Sequence, residues 1–171
     1  MKHIKEMVSV LAIFLLAFPL FAQTNEETKE AAAKDILCDA VLTGNETRVF
    51  GLVLFNGPIT DLNYTCKDGY TPLQYATAGE FFSIAEVLVR LGAKVDPFSF
   101  HVAILQDNFD FVQLFIDKGA DLCLKLPNRE LGLPASRYAE SEGMKELLIA
   151  AEKNADLEVD EGICYPKEEE H

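Results

Sequence analysis

The sequence predicts an all-α solenoid, about four helix-turn-helix units stacked in a row and joined by short hairpins or loops. Three observations predict it. The same exit, a glycine followed by alanine, closes two apolar segments, at Leu91-Gly92-Ala93 and at Lys118-Gly119-Ala120. Apolar residues recur at helical spacing in short runs, among them Leu73, Ala76, Ile84, Val87, Leu88 and Leu91. Turn and cap signals stand between the runs, most clearly Asp68-Gly69 and then Thr71-Pro72. Short paired helices cannot each hide an apolar face alone. A row of them buries one continuous core.

The best-formed unit runs from Asp68-Gly69-Tyr70-Thr71-Pro72-Leu73-Gln74-Tyr75-Ala76 to Ile84-Ala85-Glu86-Val87-Leu88-Val89-Arg90-Leu91-Gly92-Ala93-Lys94-Val95-Asp96. Asp68-Gly69 makes a tight turn. Thr71 is a helix cap, and Pro72 suits the first helical turn. Gly92 closes the second helix in the left-handed conformation. In turn, cap, both helices and exit, the segment resembles the ankyrin repeat, whose signature is D-x-G-x-T-P-L-H-x-A followed by a helix ending L-L-x-x-G-A-D-V-N.

The resemblance sets a register for the rest of the chain. Phe98 to Ala103 occupies the T-P-L-H-x-A slot of a third unit, with His101 on the motif's histidine, and Val112 to Asp121 forms its second helix and exit. Gly92 to Gly119 spans 27 residues, against about 33 in the family, so the hairpin between these units is nearly absent. The first unit reads Asp35 to Asn45 and then Val49 to Phe55, without T-P-L-H. A last unit, Pro134 to Ala139 and Gly143 to Leu148, has the polar outer face of a terminal cap. The repeats fall at about 33–63, 64–96, 97–123 and 124–152 of a domain at 33–154. A polar lead-in, 23–32, precedes it, and an acidic tail, 155–171, follows.

The first 22 residues predict export. Lys2 and Lys5 precede an apolar run of about fifteen residues, Met7 to Phe21, and Ala22 stands before an abruptly polar stretch. This is the order of a secretory signal peptide, and the run is short of the roughly 20 residues of a membrane span. The alternative is an uncleaved N-terminal anchor. The chain carries a net charge of −13; losing Lys2, Lys5 and Glu6 makes it −14. That balance opposes nucleic acid and anionic lipid, whose phosphates need clustered Lys and Arg, and favours a partner with a basic surface. The expected location is the periplasm or the medium, as a monomer without stable membrane insertion.

Four cysteines, Cys38, Cys66, Cys123 and Cys164, lie beyond the leader, spaced too widely for a zinc motif. An even number in an exported chain predicts two disulfides, with free buried thiols as the alternative. On the repeat register Cys38 takes the histidine slot of the first unit. Cys66, in the hairpin entering the second, lies across the repeat interface from it. Cys123 sits in an exit strand that the tail's Cys164 can reach. Cys38–Cys66 and Cys123–Cys164 are therefore preferred among three pairings.

Catalytic signals are sparse. No phosphate loop, nucleophile elbow or His-Glu metal helix is present. His101 takes the family's structural slot, where the histidine bonds a neighbouring turn. No catalytic, cofactor or metal residue is expected, although carboxylates meeting in space are open to any acidic chain. Asn45-Glu46-Thr47 and Asn63-Tyr64-Thr65 match the N-glycosylation pattern, but the leader looks bacterial, and both are read as chance matches.

By resemblance, hairpin tips and the exposed ends of the first helices form a concave face for another protein. Its candidate residues are Thr65, Lys67, Asp68 and Tyr70 in the complete hairpin, and Ala78 and Gly79 at the end of that unit's first helix. Leu42 and Thr43 come from the first unit and Leu105 and Gln106 from the third. Lys125, Asn128 and Arg129 come from the last hairpin. Tyr70 is the expected anchor, because aromatic side chains dominate binding hot spots, with lateral packing on the neighbouring hairpin as the alternative. The function implied is protein binding in the cell envelope, for shielding, immunity or stress support. A secreted effector acting on host proteins is the alternative, and a carboxylate enzyme a third class.

Overall fold

The computed structural model describes residues 27–55, 59, 61–126, 131–160 and 162–164. The leader, Asn128, Arg129 and the tail beyond Cys164 lie outside the described residues. The chain forms helical hairpins in a row: α1 (27–42) with α2 (Glu46–Leu54), α3 (Pro72–Ala78) with α4 (Phe82–Arg90), and α5 (Pro97–Leu105) with α6 (Phe109–Asp117). A short 3-10 helix, Ala135–Tyr138, then pairs with α7 (Glu142–Asn154). Among the described residues four two-residue strands follow: β1 (Cys123–Leu124), β2 (Leu133–Pro134), β3 (Val159–Asp160) and β4 (Ile163–Cys164). First helices stack on first helices, α3 on α5, and second helices on second helices, α2 on α4 and α4 on α6. The architecture is an all-α solenoid with very little strand.

Local chemistry explains where each helix starts and stops. Thr71 caps α3 through its side chain, which accepts from Gln74 N, while Gln74 Oε1 accepts from Thr71 N at 2.9 Å. Two otherwise unbonded N–H groups are thereby satisfied reciprocally, and Pro72 occupies the first turn, where no N–H is needed. After α4 and α6 the chain exits through Gly92 (φ 104°) and Gly119 (φ 78°). Ala93 N bonds Leu88 O and Ala120 N bonds Phe115 O, each at 2.9 Å, so the last carbonyls keep partners. Successive exits are tied together. Asn63, leaving the first unit, donates to Gly92 O and accepts from Lys94 N at 2.7 Å.

The core departs from the predicted stripe in two places. On α4 the fully buried side chains are Ile84, Ala85 and Leu88, with Val89 nearly so; Val87 is half-buried and Leu91 is 46% exposed. Because α4 packs against α2, α3 and α6 at once, its buried arc widens to Ala85 and Val89. Leu91 follows the last helical residue as its C-cap and falls outside that arc. In the third unit the cap is Asp96, not Phe98: its carboxylate accepts from Phe98 N and Ser99 N, and Pro97 opens α5. With no hairpin between the second and third units, the chain runs directly from Gly92 to this cap. The third unit has an aromatic core of Phe100, Phe111 and Phe115, all within 1% of complete burial, with rings packed edge to face.

The last unit is built differently. Its first helix is a single 3-10 turn held from outside, because Glu152 of α7 accepts from Ser136 N at 2.7 Å and from Ser136 Oγ at 2.9 Å. β1 pairs antiparallel with β2, and β3 with β4. Cys164 N donates to Gly132 O at 3.1 Å, which docks the second strand pair beside the first. The strand pair of the tail is thus held against the cap. No helix among the described residues is long and apolar enough to cross a membrane.

Candidate functional site

The stacking of equivalent first helices fixes a row of exposed positions. Leu42, Ala78 and Leu105 stand two residues after Ala40, Ala76 and Ala103, which are buried at 1%, 0% and 0%. Those small side chains let the helices approach, and the residues that follow turn to solvent. Leu42 is 56% exposed and Leu105 50%. Two large apolar side chains are therefore held in water at matching sites, with Ala78 between them in the stack. Gln106 links neighbouring units, its Nε2 donating to Ala78 O at 3.3 Å.

The adjoining hairpin presents Thr65, Lys67, Asp68 and Tyr70, all exposed. Cys66 N bonds Tyr70 O at 2.7 Å and closes its turn. Tyr70 is 45% exposed, and its ring meets Tyr75 at 5.8 Å and Phe98 at 5.9 Å between centroids. The missing hairpin of the third unit is what leaves Tyr70 beside Phe98. The hydroxyl of Tyr75 donates to the carboxylate of Asp68, joining an acid to the aromatic group.

Electrostatics along the first two units follow from local bonds. Lys67 Nζ lies 3.0 Å from Asp35 Oδ2, and this hydrogen bond and charge hold the ammonium pKa above its ordinary value. Backbone N–H donation from Asn63 holds the Asp61 carboxyl below its ordinary value. Burial, and then the charge of Asp35, push the Tyr64 hydroxyl well above the usual tyrosine range. That hydroxyl donates to Lys34 O at 3.0 Å.

Both cysteine pairs are disulfides: Cys38–Cys66, with α-carbons 6.0 Å apart, and Cys123–Cys164, at 5.6 Å. The first bridges α1 to the hairpin of the second unit; the second fastens the strand pair of the tail to the exit of the third. Gly132 makes the second bridge fit. A Cβ there would stand 2.5 Å from Cys123 Sγ and 2.8 Å from Cys164 O.

The other predicted residues have definite surroundings. Gly79 is exposed, but the Phe81 ring covers its α-carbon so closely that a Cβ would lie 2.4 Å from Phe81 Cε2. Lys125 is exposed just after β1. The His101 ring packs edge-on to Tyr138 at 4.6 Å. Sequence reasoning missed Tyr75, Phe98 and Gly132; an aromatic at the x of T-P-L-H-x-A was the available signal for Tyr75. Elsewhere a groove of about 1100 Å³ runs between α6 and α7. Its carboxylates Asp117 and Asp121 accept hydrogen bonds from Gln113 Nε2 and Cys123 N. Among the described residues no group of three or more His, Cys, Asp or Glu is placed to hold a metal ion.

The family model for ankyrin repeats, in three copies, matches residues 37–126, just over half of the chain. A search of curated proteins returns no match.

Proposed function

Because the chain belongs to the ankyrin-repeat family, whose members bind other proteins, we propose that it is an exported, non-enzymatic module whose concave face holds one protein partner in the cell envelope. The observation that carries this reading is the row of Leu42, Ala78 and Leu105. Exposed leucines at matching places on a rigid stack supply apolar area whose conformation is fixed before association, which lowers the ordering cost of binding. Thr65, Lys67, Asp68, Tyr70, Gly79 and Gln106 border the row, and Lys125, exposed just after β1, is a further contact residue. The partner carries a basic surface, consistent with the net charge of −13 and with carboxylates at the hairpin.

Export is supported by the order of the leader residues and by two disulfides, which persist in oxidising compartments. The periplasm is the proposed location, the protein acts as a monomer, and shielding, immunity or stress support is its role there. The test is affinity capture from the native envelope fraction with the mature protein as bait. One specific partner is expected with the natural chain, and recovery is lost with Leu42→Glu/Leu105→Glu. Capture of nothing above background across several growth conditions, or equal capture by the variant, contradicts the reading.

A further inference from the structure

The aromatic group beside the row has a chemistry of its own. We propose that Tyr70, Tyr75 and Phe98, together with the carboxylate of Asp68, form a receptor for one arginine side chain of the partner; this rests on the concave-face reading above. Centroids 5.8 and 5.9 Å apart, with planes inclined by 50° and 45°, leave Tyr70 tilted against both neighbours rather than stacked flat on either. A cation over such rings lies within about 6 Å of more than one centroid, the range in which the negative ring faces attract it. Tyr70 is 45% exposed, Tyr75 and Phe98 are half-buried, and Asp68 is exposed, so the rings form a floor reachable from solvent.

The carboxylate selects among cations. Asp68 is fixed at the rim by the Tyr75 hydroxyl, so a group lying on the rings can also donate to it. Guanidinium is planar, stacks on an aromatic face and presents N–H groups at its edge for a carboxylate; an ammonium is compact and more strongly hydrated. No cation among the described residues fills the place. Lys67, next to Asp68, is drawn to Asp35 at 3.0 Å, and Lys34 stands over Tyr64 instead. Among the described residues no Lys or Arg stands over Tyr70, Tyr75 or Phe98. The near-absent third hairpin is what opens this receptor, since a full hairpin tip would occupy the space beside Tyr70.

The test titrates the mature protein with the peptide Gly-Ser-Arg-Ser-Gly, capped at both ends, and with its lysine and citrulline counterparts, following the ring resonances of Tyr70, Tyr75 and Phe98. Saturable shifts are expected with arginine, at least threefold weaker binding with lysine, and none with neutral citrulline. Tyr70→Ala and Asp68→Asn should each weaken arginine binding threefold or more, and Tyr70→Phe should retain it. No saturable shift, citrulline binding as well as arginine, or full binding by Tyr70→Ala would overturn the proposal. Lysine binding as well as arginine overturns it too. Envelope capture that succeeds while this titration is silent removes the arginine receptor and leaves the binding face standing.

Discussion

Gln74 Nε2 donates to Asp96 Oδ1 at 3.0 Å, so the side chain in the histidine slot of the second unit reaches the helix cap of the third. Asp96 also accepts from Phe98 N, Ser99 N and, at 2.7 Å, Ser99 Oγ. One carboxylate thus starts α5 and joins it to α3. Asp96→Ala should lower stability by about 1–2 kcal/mol through the lost cap, and Gln74→Ala by about 1 kcal/mol. Denaturant midpoints of both variants and of the double variant check the coupling. Additive losses would show that the two residues do not act together.

Glu80 and Asp107 stand at equivalent turns between the helices of the second and third units, with φ of 58° and 54°, where the first unit has Gly44 at 64°. Left-handed backbone costs a residue with a Cβ roughly 1–2 kcal/mol. Glu80→Gly should therefore raise stability by about 0.5–1 kcal/mol, since part of the relief is offset by glycine's greater freedom when unfolded. Thermal melting of the two proteins checks it; a lower midpoint would contradict the assigned turn.

Gly132→Ala introduces a Cβ 2.5 Å from Cys123 Sγ, and Cys123–Cys164 should then fail to close. The expected result is two free thiols under denaturing, non-reducing conditions, against none in the natural chain, and a loss of about 2–4 kcal/mol. A variant with both bridges intact and unchanged stability would contradict the close approach.

The raised pKa of Tyr64 gives stability a definite sign with pH. The neutral hydroxyl is the form favoured by folding, so its contribution is fully present below the ordinary tyrosine value of about 10 and is lost as pH rises through the folded value. Tyr64→Phe should flatten the fall of stability at alkaline pH. Tyrosinate absorbance, natural chain minus variant, isolates this hydroxyl; a midpoint at or below the ordinary value contradicts its burial.

The sequence made the repeats legible because caps and exits are local. Thr71-Pro72 and the two Gly-Ala exits act over a few neighbouring residues, and each helix they bound is found. Less legible were features decided by packing between units. Leu91 has the spacing of a core residue, yet the helix ends before it. Asp96 lies two residues ahead of the motif's cap, a shift possible only because the intervening hairpin is missing. Tyr75 and Phe98 belong to different units, and nothing in either segment alone shows that both meet Tyr70. Gly132 matters through a disulfide partner far along the chain, and no local pattern marks it.

The most direct test of the central claim is amide hydrogen exchange of the mature protein, free and bound to the captured envelope partner. New protection is expected at 65–70, 77–79 and 104–106, with the outer helices α2, α4 and α6 unchanged. Protection confined to those outer helices, with the hairpin and the ends of the first helices exchanging as before, would contradict a concave binding face.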